Sequence, residues 1–219
     1  AGLPLEAFQV YVRGLGGFQH LGLVAGDMVR GARVVRAFAA GDDPAALHPR
    51  LTPVLCAALA YDWGLYLGAL GDLAHAERCY AAHETYVVAA HGDASPELVT
   101  NLRTRAYVAR LRGALPEALS RITASLHLAS GAGFEAHVVR GLSLEASLRH
   151  DLGDVAGAAL GFERVRALEG EPEARRALWE AEHVLARGQA ARARDVAGRV
   201  AAACDELGWS GHVAHAHAL

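Results

Sequence analysis

Gly64-Leu65-Tyr66-Leu67-Gly68-Ala69-Leu70-Gly71-Asp72-Leu73-Ala74-His75-Ala76-Glu77-Arg78-Cys79-Tyr80 reads as two helices joined by a tight turn. Small and apolar residues recur at helical spacing up to Leu70, Gly71-Asp72 interrupts the pattern, and a second helical pattern starts at once. Glycine is the residue that ends a helix most readily, and aspartate is one that starts the next. Five residues after the turn glycine stands the small residue Ala76. The same pairing recurs as Gly26/Gly31, Gly113/Ala118, Gly153/Ala158 and Gly188/Ala193. The turn glycines lie roughly 45, 42, 40 and 35 residues apart, a period that predicts a helical repeat array.

Two further positions keep step with the turns. Seven residues before each turn glycine stand Gln19, Gly64, Ala106, Ala146 and Ala181, small in all but the first. Nine residues after it stand Val35, Tyr80, Ile122, Phe162 and Ala197, mostly bulky. Small residues facing small ones, with a large one a turn further on, allow two helices to pack closely. The units predicted from this register are about 5–40, 51–91, 96–130, 133–169 and 171–207, with 211–219 starting a truncated helix. They form one array over 1–219. In the first unit a single helix is expected from Leu5 to Val24, with Gly14-Leu15-Gly16-Gly17 inside it. Ser95-Pro96-Glu97 supplies a cap and a first-turn proline for the third unit.

Composition agrees with an all-α chain. About half of the 219 residues are hydrophobic, aromatics are few, and alanine, the best helix former, is abundant. No sustained alternation of Val, Ile or Thr marks a strand. All 21 basic residues are arginine, as expected of a GC-rich genome, and the net charge is −3. No concentrated basic face is present, which argues against a nucleic-acid partner. Cys56, Cys79 and Cys204 are odd in number and lie in apolar helical patterns, which points to a reducing, cytoplasmic setting. No apolar run reaches membrane-spanning length, so no membrane role is expected. The chain starts without Met and ends inside what reads as a new helix, so it is read as a fragment of a longer cytosolic protein.

The stretch Gly64–Tyr80 resembles a tetratricopeptide repeat, with its small residue, Gly-Asp turn, alanine and aromatic. Ala146, Gly153-Asp154, Ala158 and Phe162 repeat that pattern, and the other units match in part. The resemblance implies an all-α right-handed superhelix of five antiparallel helix pairs, a TPR-like α-solenoid. Longer, degenerate, Ala/Arg-rich repeats of this kind resemble the sensor arrays of bacterial signal-transduction ATPases, including the MalT-like (STAND) regulators. The resemblance therefore implies a non-catalytic module that binds a protein or peptide, or a small anionic effector. An assembly scaffold that self-associates through exposed array ends is the alternative.

In such arrays the first helix of each pair lines a groove. Carried over from the resemblance, the groove positions are Gly16, His20 and Leu23; Tyr61, Leu65 and Gly68; Arg103, Tyr107 and Arg110; Ser143, Ser147 and His150; and Leu178, Glu182 and Ala186. Arg103, Tyr107 and Arg110 follow i, i+4, i+7 spacing and share one helix face. Two guanidiniums flanking a phenol suit a carboxylate or phosphate. Arg140 is expected to join them, with Tyr61 and His20 further along the groove. A solvated face with ion pairs to Glu97, Glu135 or Asp151 is the plainer reading of the arginines. Trp63 falls on the apolar stripe with Leu59 and Leu67 and is expected in the core.

Catalytic and metal motifs are missing. There is no Gly-x-Ser-x-Gly, and a chain without lysine holds no Walker-type phosphate loop. An enzymatic site built from His20, Tyr61, Asp62 and Arg103 is the least favoured reading. His212, His215 and His217 cluster, but three-residue spacing lets only the first two share a helix face, and no metal site is expected. No cofactor is implied. Grooves that clamp chaperone C-termini depend on Lys and Asn, and here Asn101 is the only Asn, so that partner class is not expected.

Overall fold

The computed structural model describes residues 4–169 and 174–206. Among these, the chain is helical, with no strand and one isolated bridge between Ala39 and Leu47. Ten α-helices follow in order: α1 (Pro4–Gln9), α2 (Met28–Arg36), α3 (Pro53–Ala69), α4 (Leu73–His91), α5 (Pro96–Leu111), α6 (Leu115–Gly131), α7 (Glu135–Asp151), α8 (Val155–Glu169), α9 (Ala174–Ala186) and α10 (Ala190–Glu206). The segment between α1 and α2 carries two π-helical stretches, Val10–Gly14 and Phe18–Val24. The predicted 211–219 helix and the His212, His215, His217 cluster lie outside the described residues.

The chain divides into two compact units, Ala1–Arg112 and Gly113–Leu219. In the first, α3 packs on α4, α2 on α3 and α4 on α5. Its core gathers Val35, Leu59, Ala60, Trp63, Tyr66, Ala76, Cys79, Tyr80 and Val108. Trp63 is buried, as its place on the apolar stripe predicts. In the second unit α7 is the hub: α6, α8 and α9 all pack on it, and α9 pairs with α10. Leu178, Ala181, Val196, Val200 and Cys204 form one core cluster there, and Val139, Leu142 and Val165 another.

The turns are built as the residue pattern demands. Gly71 takes φ 83°, a conformation costly for any residue with a Cβ. The Asp72 N–H reaches back to the Leu67 carbonyl and the Gly71 N–H to that of Gly68, which satisfies the last carbonyls of α3. The Asp72 side chain then accepts from the His75 N–H at 3.1 Å and caps α4. Gly153-Asp154 repeats this arrangement, with Asp154 accepting from the Gly157 N–H at 2.9 Å. Gly26, Gly113 and Gly188 share the positive φ. The small residues five beyond the turns, Gly31, Ala76, Ala118, Ala158 and Ala193, are all buried. Gly64 faces the Tyr80 ring so closely that an added Cβ would lie 2.6 Å from it, so the small-against-large register is real contact.

One expectation fails. The first helix does not run unbroken from Leu5 to Val24; it is interrupted at Leu15-Gly16-Gly17, with Gly16 at φ 68° and Gly17 at φ 55°. Three glycines in four residues each weaken a helix by about 1 kcal/mol relative to alanine. Asp62 of α3 supplies what the broken backbone needs, because its carboxylate accepts the Phe18 N–H that starts the second stretch.

Candidate functional site

α3 and α5 carry the predicted binding residues of the first unit. Tyr61, Leu65 and Gly68 on α3 are all half-buried, and so are Arg103, Tyr107 and Arg110 on α5. The two helices are joined at this level. The Thr104 hydroxyl donates to the Thr100 carbonyl at 2.8 Å, so the Tyr61 hydroxyl, 3.2 Å from Thr104 Oγ1, is the donor in that pair. The Tyr61 ring meets Tyr80 edge to face at 5.7 Å and His83 at 5.0 Å. Beside Gly68 there is open space, since an added Cβ would meet nothing within 4 Å. None of Arg103, Tyr107 and Arg110 is without a partner.

The other predicted residues are placed differently. His20 is exposed in the second π-helical stretch, with its side chain against Gly16. Arg140 is exposed on α7 and belongs to the second unit. Ser143, Ser147 and Leu178 are buried rather than lining an open groove, because α9 lies against α7 and covers that face. His150, at the end of the same row, is half-buried against His183 of α9, with the two Nδ1 atoms 3.1 Å apart.

Of the residues of the enzymatic reading, Asp62 and Tyr61 are each engaged with other side chains. Asp62 accepts from the Tyr11 hydroxyl at 2.7 Å, and the Tyr66 hydroxyl in turn donates to Tyr11 at 3.2 Å. Burial raises the Asp62 carboxyl above the usual carboxylate range and pushes the Tyr66 phenol up to about 12. These groups hold the N-terminal segment on α3, while Tyr61 next door is engaged with Thr104.

Two side-chain networks have no counterpart in the sequence reading. Arg105 projects to the face of α5 opposite Arg103 and binds Glu77 of α4 through Nε at 2.9 Å and a terminal nitrogen at 2.7 Å. It also contacts Glu84, further along α4. Asn101, fully buried, donates to the Tyr80 carbonyl at 2.8 Å and to His83 Nδ1 at 2.7 Å, so it ties α5 to α4. Burial lowers His83 to about 4. A lone asparagine within an apolar helical pattern is the signal that could have pointed to this site.

The described helices include none long and apolar enough to cross a membrane, and no group of three or more His, Cys, Asp or Glu side chains that could hold a metal ion. The three cysteines are free and buried.

The helix hairpins, glycine turns and small-residue seams define a TPR-like repeat fold, and solved structures agree. The structure of BtubC (BKLC) from P. vanneervenii matches with TM-score 0.64 at 15% identity, over 90% of this chain and 81% of that one. A kinesin light chain-like protein of Podosopora anserina, with nearly identical TPR-like repeats, matches with TM-score 0.62 at 13% identity, over 92% of this chain and 96% of that one. A second structure of the same kind of protein gives 0.57 at 14% identity, over 87% and 93%. No protein-family model and no curated protein sequence matches the chain. At these identities the likeness is one of fold.

Proposed function

We propose that this chain is a non-catalytic repeat module that binds an acidic peptide segment of a partner protein along the face shared by α3 and α5. The observation that carries the reading is the hydrogen bond from Tyr61 on α3 to Thr104 on α5, the helix that bears the Arg103, Tyr107, Arg110 row, together with the open space at Gly68. Guanidiniums bind carboxylates in a bidentate manner, and tyrosines add contact area at low entropic cost. In this reading the helix pairs act as one continuous array over 1–219. It serves as the sensor region of a larger signalling protein, whose nucleotide-hydrolysing part lies in another domain.

The test is binding of labelled acidic and neutral peptides followed by fluorescence anisotropy. The double variant Arg103→Ala/Arg110→Ala should lose acidic-peptide affinity about tenfold or more while its melting temperature stays near that of the parent. Equal loss for neutral peptides, or unfolding of the variant, would count against the face.

A second reading, self-assembly, is favoured by one observation. α8 leaves Val155, Leu160 and Leu168 exposed by 42%, 67% and 56%, side chains that are usually covered. Light scattering at two protein concentrations should return the monomer mass at both if the peptide-binding reading holds. A mass that rises with concentration supports the scaffold.

A further inference from the structure

The contact between α7 and α9 contains a pair of imidazoles with no acid between them. His183 is 2% exposed, and its ring meets that of His150 edge to face at 5.0 Å, with the two Nδ1 atoms 3.1 Å apart. Phe162 of α8 lies on another side of His183 at 5.3 Å, and His183 Nε2 is buried with no hydrogen-bond partner. A hydrogen bond between two imidazole nitrogens holds one proton, since one ring donates and the other accepts. When both rings are cationic, two donors of like charge face each other.

The nearby charged groups that act on His183 work in the same direction. Arg187, just beyond the end of α9, and Arg192 on α10, together with His150 on α7, all oppose a charge on His183. Glu180, one turn earlier on α9, is already held by Arg166 of α8 and Arg192 of α10. On α7, Glu145 is paired with Arg149. Glu182 on α9 and Asp151 at the end of α7 each have an interaction of their own. Burial is the main cause that holds His183 below the ordinary histidine range, and these charges add to it.

We propose that the His150–His183 pair is an acid-operated joint. With both rings neutral it holds α9 against α7, and proton uptake at mildly acidic pH separates the α9/α10 hairpin from α7/α8. The sign follows from linkage. A histidine whose folded pKa is depressed binds its proton better once released, so opening takes up protons and is favoured as pH falls below about 6.5. The joint lies in the second unit and is independent of the α3/α5 face, so either can fail without the other.

Amide hydrogen exchange tests it, read at pH 7.5 and 5.0 after correction for intrinsic rates. In the parent chain, protection of residues 177–186 should drop about tenfold more than that of α8 on acidification, and His150→Gln and His183→Gln should each remove the excess. Unchanged α9 protection in the parent chain overturns the joint, and so does an excess that survives in His150→Gln. If His183→Gln does not fold, the parent chain and His150→Gln decide between these results.

Discussion

Replacing Gly31 by alanine should lower stability by about 1–3 kcal/mol, although alanine is the better helix former. A Cβ at Gly31 would lie 2.1 Å from Cε1 and 2.3 Å from Cζ of Tyr66. That ring has no room to retreat. It is fully buried, its hydroxyl is bonded to Tyr11, and Phe18 packs against it edge to face at 4.9 Å. Overpacking therefore outweighs the propensity gain. Gly198→Ala is the matched control: it lies in mid-α10 with nothing within 4 Å of its added Cβ. There the same substitution should stabilise by up to about 1 kcal/mol. Urea unfolding of the two variants should move in opposite directions, and a loss in both would mean that the seam at Tyr66 is not what limits residue size.

Acid should weaken the first unit through His83. Burial holds this imidazole at about 4, well below the ordinary value of about 6.5, and Asn101 donates to its Nδ1. Protonation would place a second donor against the Asn101 amide. Because the folded pKa is depressed, the native state excludes a proton that the unfolded chain accepts. Stability is full above about pH 6.5 and declines as the pH falls towards 4, by about 1.4 kcal/mol per unit and about 3 kcal/mol in all. Unfolding titrations at several pH values should show this slope in the parent chain. In His83→Gln, whose amide oxygen can accept from Asn101 without titrating, the slope should be much smaller.

What could be read from residues alone was set by local sterics. A glycine that must take positive φ, an aspartate that must cap, and alanines that must admit a neighbouring helix are each constrained within a few residues of the turn. The hairpins at Gly71 and Gly153 follow from them. The break at Gly16-Gly17 was not legible, because it depends on Asp62, more than forty residues away, accepting the Phe18 N–H. Nor could the sequence tell Arg103 from Arg105. Both sit on α5, and only the position of Glu77 and Glu84 on α4 makes Arg105 a tie between helices. Ser143 and Ser147 have the composition of an open face. They are buried because α9 lies on α7, a contact their own neighbourhood does not encode.

The Gly-Asp turn also bears on how the chain reaches its fold. Asp72 closes α3 with its backbone and opens α4 with its side chain, through bonds spanning only three to five residues. Closing so short a loop sacrifices little chain entropy, and contacts between neighbouring helices keep contact order low, the regime of fast folding. Each hairpin can therefore assemble as it leaves the ribosome, before the residues of the next have been synthesised, and growth proceeds by addition to an existing template.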